Sequence, residues 1–152
     1  MKEVIILVGE MGCGKTYWGK EMARVMNADF FDGDDVLPPG MKDIVSKFRP
    51  LTKAMVDHYV HSWLAPAIID GRNKSCKVHL FVAQALYLKE HRDYLEKHLK
   101  ENGIRVTYWY IYVPFWQNVK QLWSRPRGFR WILYWLMNKP YFQKEGLYCP
   151  ND

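Results

Sequence analysis

Eight residues near the N-terminus, Gly9-Glu10-Met11-Gly12-Cys13-Gly14-Lys15-Thr16, constrain this chain more than any others, because they fit G-x-x-x-x-G-K-[ST] at every fixed position. An apolar, β-branched run from Val4 to Val8 precedes them, and Tyr17 to Met26 carries helical periodicity after them. Glycine-rich turns join strands to helices without any ligand, but strand, glycine loop and helix together are the setting of a phosphate cradle. Gly9, Gly12 and Gly14 lack a Cβ, so successive N–H groups can converge on phosphate oxygens, and the following helix adds its positive end. Lys15 is expected to reach the β and γ phosphates of ATP, and the Thr16 hydroxyl to ligate Mg²⁺. Met11, Cys13 and Tyr17 complete the expected nucleotide-binding set.

The 152 residues fit a single domain spanning 1–152, large enough for a real core without disulfides or a structural metal. A formal charge of +6 suits an anionic partner without choosing between ATP, a sugar acid and nucleic acid. Cys13, Cys76 and Cys149 show no zinc spacing, and one of them lies inside the phosphate loop, which suggests a reducing compartment. The apolar run after Glu3 is too short for a secretion signal, and no stretch approaches 18 uncharged apolar residues. A soluble, cytoplasmic protein is the expectation.

Further along, Trp18, Met22, Val25 and Met26 share one helical face, expected to pack on the sheet. Asp29 to Phe31 reads as a short strand that dissolves into the acidic turn Asp32-Gly33-Asp34-Asp35. A short helix over 41–48 follows, then one capped by Thr52 that runs to a kink at Pro66. Asp70 to Lys74 reads as a polar turn, Val78 to Ala83 as a buried strand, and Lys89 to Glu101 as a charged helix with Tyr94, Leu95, His98 and Leu99 inward. Arg105 to Val113 is strand-like, 115–123 helical, and 131–137 an aromatic helix before an irregular end. Strands alternating with helices imply a three-layer α/β/α fold with a parallel sheet of four or five strands.

In such sheets the ligand sits beyond the carboxyl ends of the strands, which brings Asp32, Asp34 and Asp35 opposite the phosphate loop. Aspartates there also form turns and cap helices, but phosphoryl transfer to a hydroxyl needs a proton acceptor and an orienting group at this place. Arg125, Arg127 and Arg130 flank Pro126 and Gly128, either as a basic surface loop or as a lid over about 124–138 that stabilises charge on the moving phosphate. The five histidines form no ligand-spaced cluster and read as surface or packing residues.

The loop, then FFDGDD with Pro38 following, RPLT at 49–52, SWL at 62–64 and RPRGF at 125–129, together resemble the small gluconate kinases of the shikimate-kinase-like group, over about residues 4–130. The resemblance implies a P-loop NTPase fold of the nucleoside-monophosphate-kinase and shikimate-kinase type. It implies ATP phosphates on Gly12, Gly14, Lys15 and Thr16, Asp32 near the magnesium, Asp34 on the acceptor hydroxyl, and Arg125 and Arg127 in the lid. Leu37 replaces the family's histidine before the proline, and Gln84-Ala85-Leu86-Tyr87 stands where the family has S-A-L-K. The expected activity is ATP- and Mg²⁺-dependent phosphorylation of a small, hydroxylated, anionic metabolite, a sugar acid such as gluconate first. A nucleoside, nucleotide or polynucleotide 5′-hydroxyl kinase and a non-catalytic nucleotide-binding regulator are the alternatives. The aromatic excess of the last third suggests a covered lid hinge or a homodimer contact.

Overall fold

The computed structural model describes residues 2–145 and Leu147; Cys149 lies outside the described residues. Four strands, β1 (Glu3–Val8), β2 (Asp29–Asp32), β3 (His79–Ala83) and β4 (Arg105–Tyr110), form one sheet in the order β2-β3-β1-β4. Every pairing is parallel, with Ile5 opposite both Phe81 and Thr107, and Phe31 opposite Val82. The central position of β1 explains its unbroken apolar run: both faces are covered, so no residue of EVIILV has a wet side.

The helices are α1 (Lys15–Val25), α2 (Pro39–Ser46), α3 (Lys53–Tyr59), α4 (Ala65–Lys74), α5 (Lys89–Glu101), α6 (Phe115–Trp123) and α7 (Gly128–Asn138). Thr52 caps α3, its Oγ1 accepting from the Met55 N–H at 3.2 Å. A single π turn over Val60–Leu64 joins α3 to α4, and Pro66 sits in the first turn of α4, where its missing N–H costs nothing. The expected polar turn at 70–74 is therefore the last part of α4. Its Arg72 is fully buried and donates to the carbonyls of Glu3 (2.8 Å), Val78 (2.9 Å) and Lys77, tying the helix end to the entry of two strands.

The face of α1 also differs from the periodicity. Gly19 and Ala23 are the buried positions, whereas Trp18, Val25 and Met26 are exposed. A Cβ on Gly19 would come within 2.4 Å of the Phe30 ring and 3.0 Å of Leu7, so the helix lies too close to the sheet for large side chains on the contact face. Periodicity finds the stripe of bulky residues, while close approach selects the small ones beside it.

On α5, Leu95 and Leu99 are buried as expected, but His91 and Arg92 join them. Arg92 is no part of a wet surface: it donates to the carbonyls of Leu86 (2.7 Å) and Gln143 (2.6 Å). β4 ends at Tyr110, three residues before the expected boundary. The main core lies between the β1/β3 face and helices α3 to α5, with Val4, Ile6, Leu64, Ile68, Val82, Leu95 and Leu99 at its centre.

Candidate active site

A cavity of about 750 Å³ opens at the carboxyl ends of the strands, within the range of small-molecule sites of roughly 300–1,000 Å³. Met11, Gly12, Gly14, Lys15, Thr16 and Tyr17 line one side of it. Gly12 and Gly14 take φ of +82° and +90°, the left-handed region in which a side chain would clash with the backbone. Gly9 and Cys13 lie behind this surface. The Gly9 carbonyl accepts from Lys15 Nζ at 3.1 Å, the Glu10 carbonyl at 3.0 Å, and the buried Cys13 thiol lies 3.7 Å from the same ammonium.

Three neighbours brace the loop. The Met11 N–H donates to the Tyr87 hydroxyl at 3.3 Å, and Asn118 Nδ2 on α6 donates to the Met11 carbonyl at 2.9 Å. Lys139, just past α7, pairs with the buried Glu10 carboxylate at 3.1 Å. Leu122 of α6 fills the space above Gly12.

Across the cavity, β2 ends at Asp32 and the chain turns tightly over 33–36. Thr16 Oγ1 donates to Asp32 Oδ2 at 3.2 Å, and Asp32 Oδ1 accepts the Asp34 N–H at 2.9 Å. Two oxygen donors from different elements thus meet beside the cradle, a set suited to a hard cation such as Mg²⁺. Asp34 lines the cavity, and Gln84 Nε2 at the end of β3 approaches its Oδ1 at 3.4 Å. Burial against the cleft wall, then the neighbouring Asp32 carboxylate, raise the Asp34 carboxyl above its ordinary range, while Lys15 and Gln84 pull it down. Asp34 and Asp35 are both exposed, but Asp35 is not among the lining residues.

Gln84 is itself fixed. Its Nε2 donates to the Tyr59 hydroxyl at 2.6 Å, its Oε1 accepts the Ala85 N–H at 2.7 Å, and Tyr59 donates to the Gly33 carbonyl at 2.6 Å. Burial pushes the Tyr59 and Tyr87 phenols far above their usual range, so both stay protonated.

The arginines separate. Arg125 lines the cavity, with its guanidinium 5.9 Å from the Trp131 ring centre. Arg127, at φ +58°, starts α7 and lies with Arg130 in a separate surface hollow beside Trp123 and Phe129. α7 reaches back over the cleft: Phe48, after α2, stacks edge-on against Trp131 (4.6 Å) and Tyr134 (6.3 Å). The structure so brings Lys15, Thr16, Asp32, Asp34 and Arg125 to one cavity and leaves Arg127 outside it.

No protein-family model matches the chain. A probable gluconokinase from Xenopus tropicalis is 30% identical over 93 residues, which cover 60% of this chain and 47% of that protein. The alignment thus spans about half the length of the curated relative. A gluconokinase from Sinorhizobium meliloti superposes over 95% of this chain and 77% of its own, with a TM-score of 0.73 and 17% identity. The fold is gluconokinase-like. Shikimate kinase from Acinetobacter baumannii, in complex with shikimate, aligns over all of this chain and 84% of its own, with a TM-score of 0.58 and 16% identity. The gluconokinase-like P-loop fold, expected from the loop and the motifs after it, is therefore shown, with a sheet of four strands among the described residues.

Motif reading missed Tyr59, Gln84, Tyr87, Asn118 and Lys139. Gln84 and Tyr87 stand where the chain departs from the family's S-A-L-K segment, so the departure itself was the available signal. Asn118 and Lys139 carry no motif, and only the packing of α6 and α7 shows their place.

Proposed function

We propose that the protein transfers the γ-phosphoryl group of ATP to a hydroxyl of a small molecule, with Mg²⁺. The observation that carries this reading is the Thr16–Asp32 contact at 3.2 Å, with Asp34 beside it on the far wall of the cavity that Lys15 lines. Gly12, Gly14, Lys15 and Thr16 hold the phosphates by their N–H groups and the ammonium. Lys15 leaves the Gly9 and Glu10 carbonyls to do so, exchanging two neutral acceptors for charged ones. Thr16 and Asp32 would hold the cation, which when bound would offset charge on the phosphates. Asp34 accepts a hydrogen bond from the acceptor hydroxyl, aims its oxygen at the γ-phosphorus and takes its proton as the new P–O bond forms and the bond from the γ-phosphorus to the bridging oxygen breaks, releasing ADP. Burial and the Asp32 carboxylate, which raise its pKa, make it a stronger base than a free carboxylate. Arg125 is the cation that the lid side contributes to the transferring group.

Gluconate is the first acceptor to test, on the strength of the relatives. With any accepted alcohol, Asp34→Ala should bind ATP as before by calorimetry and lose transfer by about 10²–10⁴-fold. Transfer at the unaltered rate removes Asp34 from the reaction.

A further inference from the structure

The half of the cavity around Asp34 differs in chemistry from the phosphate half. Its walls are Met41 and Val45 of α2, Leu51, Val56 of α3, Val60 and Leu86, with Tyr59 and Gln84 at the floor. Met41, Val60 and Leu86 are buried members of the main core, with Leu51 and Val56 packed against it, so this wall is a continuation of the protein interior.

Charge on this half is negative. Asp32 and Asp34 face the cavity, and the lining cation here, Lys53, is held by two carboxylates at 2.9 Å each, Asp57 and Glu90. Asp57 also holds His91, a further lining group of this wall, at 2.5 Å. Lys15 and Arg125 line the same cavity, and on the phosphotransfer reading both pair with the triphosphate of ATP. The chain's +6 is therefore not spent on the acceptor. The polar groups at the floor are also engaged, since the Gln84 amide and the Tyr59 hydroxyl already bond each other and the backbone.

A polyhydroxylated acid placed here would set its carboxylate beside like charge and its hydroxyls against methyl groups. Each hydroxyl buried without a partner lowers affinity by roughly ten- to hundredfold. A single hydroxyl on an apolar skeleton meets the opposite conditions: Asp34 accepts its proton, and the methyl-lined wall removes its carbon surface from water.

We infer that the chamber beside Asp34 takes a neutral alcohol with a compact apolar or aromatic skeleton, and discriminates against sugar acids. This rests on the phosphotransfer reading for the role of Asp34, while the chemistry of the wall is tested independently of transfer. The experiment is a methyl NMR titration of the protein loaded with AMP-PNP and Mg²⁺, using benzyl alcohol, cyclohexylmethanol and gluconate, beside a phosphotransfer assay with ATP and the same three compounds. The expected result is saturable shifts of the Val45, Leu51, Val56 and Leu86 methyls with either alcohol, at concentrations at least about tenfold below any gluconate effect. Val45→Lys should weaken the alcohols and strengthen gluconate. Gluconate saturating these methyls at or below the alcohol concentrations overturns the inference, as does the absence of shifts with both alcohols. Alcohols that bind, with none of the three compounds phosphorylated, leave the chamber assignment in place and count against the transfer reading instead.

Discussion

Gly12→Ala tests the cradle at the point where conformation and packing act together. Gly12 has φ +82°, and a Cβ built there would lie 2.7 Å from Leu122 Cδ2, 2.8 Å from Leu122 Cγ and 3.1 Å from Asn118 Oδ1. Holding an L-residue in the left-handed region costs about 1–2 kcal/mol, and forcing a methyl into filled space about 1–3 kcal/mol. The sum, about 2–5 kcal/mol, is a large part of a domain's stability of roughly 5–15 kcal/mol. Urea unfolding should show the loss as a lower midpoint at unchanged slope. The loop can escape only by moving away from α6, which pulls the Met11 carbonyl from Asn118 and spoils the N–H nest, so ATP affinity should fall as well. Leu122→Ala in the same chain separates the two causes. It removes the clashing atoms, so the double variant should be more stable than the sum of the single effects predicts, by about 1–3 kcal/mol. A loss below about 1 kcal/mol for Gly12→Ala refutes the strain argument; strict additivity with Leu122→Ala refutes the packing argument.

Three other outcomes follow from the site. Gln84→Met removes a donor that favours the Asp34 carboxylate, so the acid limb of kcat/KM against pH should move to higher pH, with the plateau kept within about threefold; an unmoved limb would show that Gln84 only shapes the floor. Arg125→Ala should lower kcat by about 10²–10³-fold while Arg127→Ala stays near the starting rate, because only Arg125 lines the cavity; equal losses would mean that α7 swings Arg127 inward during the reaction. Gly19→Val should destabilise the fold by about 1–3 kcal/mol, since its added atoms meet Phe30 and Leu7, whereas Trp18→Ala on the exposed flank should change the urea midpoint little.

The parallel sheet and its phosphate loop were legible because they depend on local chemistry. A loop that must show its own N–H groups to phosphate needs glycine at particular positions, and a strand covered on both faces needs an unbroken apolar run, so Gly9 to Thr16 and Val4 to Val8 declare themselves. The position of Asp32 and Asp34 opposite the loop was legible for a related reason: in a parallel α/β sheet the carboxyl ends of the strands face one cleft. Pro66 and the polar run after it misled, because proline is harmless in a first helical turn and Arg72 finds its acceptors on strand entries that sequence does not bring near. Arg125 and Arg127 are two residues apart and alike in composition, and only the left-handed start of α7 sends one to the cavity and the other to the outer surface.

The sequence by itself determined the phosphate cradle, the parallel α/β fold and the acidic wall, since each follows from what the backbone must do within a few residues. The tertiary structure alone decided the bracing of the loop by Tyr87, Asn118 and Lys139, the fixed Gln84 beside Asp34, and a cavity wall on which Lys53 is already paired. Apart from the Lys53–Asp57 pair, those features are contacts between residues 25 to 129 apart in the chain, and the free energy of such a contact exists only once the packing of the whole fold has brought its two sides together.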